Sequence, residues 1–97
     1  MNNSDALLKA VLSVVARKEF PPEALALLVG AQKQREAYNM CDGSVGQAEI
    51  VKQLNLDKSN FRKTLNRWTD LGIAFKIAQD NEIRPLHLYP LPSEFLE

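Results

Sequence analysis

The chain has 97 residues, 45% of them hydrophobic, with twelve Lys plus Arg balanced by twelve Asp plus Glu and a single cysteine. That length is one domain with a small core, and the zero net charge excludes a uniformly basic or acidic surface. No apolar run approaches the roughly 18 to 20 residues of a membrane helix, the opening Met1-Asn2-Asn3-Ser4-Asp5 lacks the basic-then-apolar pattern of a secretion signal, and a lone Cys41 excludes an internal disulfide and fits a reducing cytoplasm.

A first helix is expected from a cap at Ser4 or Asp5 to about Lys18, within a unit covering 1–20. Lys9, Ser13 and Arg17 recur as one narrow polar stripe, and nearly everything between them is apolar. A surface helix normally carries a single apolar face; this one has enough for two. One side is expected against its own domain. The other, with Leu7, Leu8, Val11, Leu12 and Val15, is expected against the same helix of a second subunit. The alternative is a central helix of a monomer. Phe20-Pro21-Pro22 breaks the chain, and Pro22 starts a second helix with Leu25, Leu28 and Val29 inward and Leu27 as an extra apolar residue. Gln32 to Glu36 reads as its solvated polar end, and Tyr38 to Gly43 as a loop.

Residues 44–72 have the pattern of a helix-turn-helix. Ser44 and Gln47 make a capping box ahead of a short helix, Gln47 to Leu54, whose apolar side is Ala48, Ile50, Val51 and Leu54. Asn55-Leu56-Asp57 is a tight turn, and Asp57 caps the next helix. That helix runs to about Leu71 and stops at Gly72. Phe61, Leu65 and Trp68 fall on its inner side at i, i+4 and i+7. The ten residues Lys58 to Arg67 carry four positive charges and no negative one. Helix surfaces normally mix signs, so this is a concentrated basic face on a neutral chain.

Over 73–90 the period changes. Ile73, Phe75 and Ile77 alternate with Ala74, Lys76 and Ala78, as in a half-buried strand. Gln79-Asp80-Asn81-Glu82 is a polar turn, and Ile83 to Tyr89 reads as a returning strand. Pro85 cannot donate to a ladder and predicts an edge position or a bulge. A helix-turn-helix followed by a hairpin is a winged helix.

The segments Gln47-Ala48-Glu49-Ile50-Val51-Lys52-Gln53-Leu54-Asn55-Leu56-Asp57-Lys58-Ser59-Asn60 and Leu65-Asn66-Arg67-Trp68-Thr69-Asp70-Leu71-Gly72-Ile73 resemble the second half of MarR-type or ArsR-type bacterial regulators. The shared pattern is a short helix, a small-polar-Ser turn and a recognition helix ending in Leu-x-x-x-Gly-apolar; it covers roughly residues 44 to 90. The resemblance implies a winged helix-turn-helix fold, mainly α with a small β-hairpin. It also implies regulation of transcription, most simply repression by a homodimer occluding a pseudo-palindromic double-stranded operator. The tip Asp80-Asn81-Glu82 is acidic where such wings are usually basic and glycine-rich.

Ser59, Asn60 and Lys63, on the outward N-terminal part of the helix, are the expected base contacts. Arg62, Asn66 and Arg67 are expected at phosphates, and Lys58 belongs to the same DNA-binding set. Gln47 and Ser44 stand at the start of the supporting helix, where an anion is favoured, although capping alone accounts for Ser44 equally well. From the wing strands only Lys76 and Arg84 reach a backbone. Trp68 shares a face with Phe61 and Leu65 and belongs to the core rather than to a stacking platform. Tyr38 and Tyr89 read as more exposed. A lone His87 is structural, and Cys41 and Asp42 make no metal site with it. One His, one Cys and four dispersed glycines provide neither a nucleophile–base pair nor a phosphate loop, so no enzyme and no cofactor are expected. Two other readings compete. One is a winged-helix protein-interaction module docking through the first helix. The other is a DNA-binding accessory of replication or plasmid maintenance. No effector pocket is legible.

Overall fold

The computed structural model describes the backbone of residues 3–97 and all their side chains except those of residues 3–6, 9, 12 and 13. In order along the chain come α1 (Asn3–Glu19), α2 (Pro22–Val29), α3 (Gln32–Met40), α4 (Gln47–Leu54), α5 (Lys58–Asp70), β1 (Ala74–Gln79) and β2 (Glu82–His87), with a 3-10 turn at Ser93–Phe95. Five helices and one antiparallel hairpin make a mainly helical arrangement that is compatible with a winged helix.

The largest departure from the sequence expectation is α3. Residues expected as a polar helix end and a loop form a separate helix. Gly30 divides it from α2 at φ 127, a conformation that side chains rarely adopt, and the Gln34 side chain accepts from the Ala31 amide at 3.1 Å to close the new first turn. The inward side of α3 lies mostly past the polar run: Ala37, Tyr38 and Cys41 are buried. Three of its polar residues, Gln32, Arg35 and Asn39, bond the C-terminal segment. Asn39 donates to the Leu91 carbonyl at 2.9 Å and accepts from the Leu91 amide at 2.7 Å, and Gln32 donates to the Leu96 carbonyl at 2.8 Å.

Both tyrosines are therefore buried, not exposed. The Tyr38 hydroxyl donates to the Ile73 carbonyl at 2.6 Å and accepts from the Leu88 amide at 3.1 Å, which ties α3 to both ends of the hairpin. The Tyr89 hydroxyl donates to the Phe20 carbonyl. Around Tyr38 the core gathers Leu25 and Val29 of α2, Ile50 of α4, and Phe61, Leu65 and Trp68 of α5. Trp68 meets Tyr38 and Phe61 edge-on, with ring centroids 5.2 and 6.0 Å away, the arrangement that aromatic quadrupoles favour.

By contrast, α1 is barely covered. Ala16 is its one buried residue among those described, and Arg17 lies 4.9 Å from the centre of the Tyr89 ring. Leu7, Leu8, Val11, Val14 and Val15 are 51% to 71% exposed. The expected packing of one side of α1 on its own domain is thus met only near its C-terminal end. The side chain of Leu12 and the cap at Ser4 or Asp5 lie outside the described residues. No described helix is long and apolar enough to cross a membrane.

Ser44 does not cap α4. The helix starts at Gln47 with Gly46 as its cap residue, and the Ser44 hydroxyl and amide both donate to the Asp42 carboxylate. The hairpin turns on Asp80 and Asn81 alone, at φ 53 and 64, the two positive φ values that a tight right-twisted hairpin requires. Its register runs unbroken from Ala74↔His87 to Gln79↔Glu82, so Pro85 marks no bulge. Pro85 does sit at an edge, as expected, since β2 is an outer strand of a two-stranded sheet. Its carbonyl accepts from the Gly43 amide at 3.0 Å, beside the Asp42↔Leu86 bridge. In a strand the N–H and C=O of one residue point the same way, so the missing donor costs the β1–β2 ladder nothing. Of the alternating β1 residues, Phe75 is exposed rather than half-buried.

The Cys41 thiol donates to the Ala37 carbonyl at 3.2 Å, and burial pushes its pKa up to about 12 from an ordinary 9. Burial raises the Tyr38 phenol too, from an ordinary 10. In each case the unfolded chain ionises first, so stability is complete below pH 9 and falls as pH rises towards 12. Denaturant unfolding across the alkaline range is expected to show that fall, with onset delayed to near pH 10 in Cys41→Ala, where Tyr38 takes over. A stability independent of alkaline pH contradicts both burials.

Candidate nucleic-acid interface

The orientation of α5 is fixed from both ends. The Asp57 carboxylate accepts from the Asn60 amide at 2.8 Å, satisfying one of the donors that a helix start leaves open. Phe61, Leu65 and Trp68 lock the inner face into the core. Helical spacing then places Ser59, Lys63 and Asn66 opposite that face at i, i+4 and i+7, and all three are exposed. Lys58 and Arg62 flank this ridge on the side of α4. There Lys58 shares a shallow recess of about 240 Å³ with Gln47, Val51, Glu82 and Ile83. Lys58, Arg62 and Lys63 are exposed and form no ion pair among the described residues. The Lys76 ammonium donates to the Asn66 side-chain oxygen. Gln47, Lys58, Arg62, Ser59, Lys63, Asn66 and Lys76 therefore make one polar band from the start of α4 across α5 to β1.

Three of the expected contact residues are drawn elsewhere. Arg67 turns towards α2 and donates to the Leu28 and Val29 carbonyls, each at 2.7 Å. These are among the C-terminal carbonyls that a helix leaves unpaired, and a cation there also suits the helix dipole. Trp68 donates to the same Val29 carbonyl at 3.0 Å. Asn60 falls on the flank facing α3, beside a hollow lined by Gln34, Ala37, Leu56 and Thr64. Arg84 is held by the wing tip: its Nε donates to Glu82 at 2.7 Å, and Asp80 lies 3.8 Å away. The part played by Glu82 was not legible from sequence. The flank taken by Arg67 was open to inspection, because a helical projection sets it on the opposite side from Arg62.

Ser44 is engaged by Asp42. Burial works to raise that carboxyl, but the Ser44 hydroxyl and amide, with His87 nearby, hold it below its ordinary value. No group of His, Cys, Asp or Glu among the described residues is placed to hold a metal ion. Set against known proteins, the chain matches no family model, no curated protein and no solved structure. Its chemistry is read from its own residues.

The two kinds of cation on α5 separate by stability. Arg67→Ala leaves two helix-end carbonyls without their charged donor and is expected to cost roughly 1 to 3 kcal/mol. Lys63→Ala, on the solvated ridge, is expected to stay within about 0.5 kcal/mol of the unsubstituted protein. Urea unfolding measures both, and equal effects contradict the assignment of Arg67 to α2.

Proposed function

We propose that this chain is a small cytoplasmic winged-helix protein that binds double-stranded DNA and regulates transcription, most simply as a repressor. α5 acts as the recognition helix, α4 as its support and the β1–β2 hairpin as the wing. One observation carries the reading: Lys58, Arg62 and Lys63 are exposed and form no ion pair among the described residues, beside Ser59 and Asn66, on a helix whose inner face is fixed in the core. A ridge of cations and short polar groups supplies both halves of DNA recognition. Cations hold phosphates, while Lys, Ser and Asn hydrogen-bond base edges in the major groove. Gln47 and Lys76 extend the backbone contacts on either side. The role is one of binding, with no catalytic step.

The exposed apolar stripe Leu7, Leu8, Val11, Val14 and Val15 supports pairing of α1 with α1 of a second copy. Two recognition helices would then enter successive major grooves of a pseudo-palindromic site. The same stripe also favours a second reading, a protein-interaction module docked through α1, with the basic band secondary.

Selection of bound sequences from a random duplex library, at two salt concentrations, separates these readings. The expected result is enrichment of a palindromic site, with affinity falling steeply as salt rises. The double variant Arg62→Ala, Lys63→Ala is expected to lose about ten-fold or more in affinity and to flatten the salt slope by about one for each phosphate contact removed. Enrichment without palindromy points to a replication or plasmid-maintenance accessory. No retained DNA at low salt overturns the DNA reading and leaves the protein-interaction module.

A further inference from the structure

The wing tip does something that a basic wing would not. Glu82 is the last paired residue of the hairpin, opposite Gln79, and its side chain reaches back over the start of α4. There it lies so close to Gly46 that a methyl group on that residue would sit 2.6 Å from one carboxylate oxygen. The other oxygen accepts from Arg84 Nε at 2.7 Å. The carboxylate thus stands in the recess that also holds Gln47 and Lys58, at the end of the polar band where a DNA backbone would pass. Asp80, 80% exposed in its side chain, adds a second, looser contact to Arg84.

We infer that Glu82 is a specificity-setting residue of the DNA interface: a built-in negative charge that holds Arg84 out of use and weakens, without abolishing, the phosphate contacts of Gln47 and Lys58. This inference rests on the DNA-binding reading. Sequence-independent affinity comes almost wholly from phosphate contacts, so a fixed carboxylate inside the band lowers that component most. Binding then depends on the full set of ridge contacts by Ser59, Lys63 and Asn66, which are the ones that sense bases. The bare backbone at Gly46 leaves room for the carboxylate, whose flexible end a side chain at that position would push aside.

The test measures binding of the full chain to a random-sequence duplex over a range of salt, for the unsubstituted protein, Glu82→Gln, Arg84→Gln and the double variant. Glu82→Gln is expected to bind about five- to ten-fold more tightly at low salt, with a salt slope steeper by about one per bound chain. Arg84→Gln alone is expected to change little, and in the Glu82→Gln background to remove most of the gain, a coupling that a double-variant cycle isolates. Asp80→Asn removes the same charge away from Gly46 and is expected to give a smaller gain. Thermal melts establish that each variant is folded. Unchanged binding in Glu82→Gln, with the unsubstituted protein binding normally, overturns this inference alone. An equal gain from Asp80→Asn overturns it as well, since net charge would then be the cause. Absence of binding in every variant, Glu82→Gln included, overturns the DNA-binding reading and this inference with it.

Discussion

The carbonyls at the end of α2 are the point on which the rest of the structure turns. Val29 accepts from the Trp68 indole and from Arg67, and Leu28 accepts from Arg67. Gly30, in a backbone conformation that side chains rarely adopt, passes the chain on into α3, and its own carbonyl accepts from Arg35 at 2.7 Å. These bonds settle polar groups that would otherwise be costly to bury. They also set the rotation of α5, because Arg67 and Trp68 can reach α2 only when Phe61 and Leu65 face the core. Tyr38 completes the frame by joining α3 to Ile73 and Leu88.

That rotation sorts the charges. The one cation on the α2 flank of α5, Arg67, is consumed by structure, and those on the α4 flank and the outer ridge remain available. The sorting matters because net charge is zero: the chain as a whole has no attraction for a polyanion, and only a local concentration of unpaired cations supplies one. The hairpin counters this at its tip, where Glu82 and Asp80 engage Arg84. The set of available cations is thus smaller than the count of basic residues on α5 implies.

The elements from 47 to 79 were legible in the sequence because their signals are local. Asp57 caps what it was expected to cap, the Phe61–Leu65–Trp68 spacing is helical, and Asp80-Asn81 forms a turn of the kind its composition favours. What escaped depends on partners that the local pattern does not single out, several of them distant. Gln32 reads as part of a solvated helix end and Asn39 as part of a loop because both are spent on the C-terminal segment, 64 and 52 positions away. Ser44 fits a capping box on paper, but Asp42, two residues back, competes for it. Pro85 looks like a ladder defect until its carbonyl is found bonded to Gly43. Arg67 reads as one more outward cation because sequence alone does not say where α2 lies. The outward placement of the ridge and of Lys58 was legible, and so was the flank on which Arg67 lies; its bonds to the end of α2 were not, being tertiary, nor was the pairing of Arg84 with Glu82 and Asp80 inside the hairpin.

The central claim is that the outer ridge of α5 meets nucleic acid. Amide-resolved NMR titration of the protein with a short duplex at moderate salt tests it most directly. The account predicts that chemical-shift changes concentrate at Gln47–Ala48 and Lys58–Asn66, weaken at the wing tip, and leave the Leu91 segment unmoved. Changes confined to α1, or none at all with duplex in excess, contradict it.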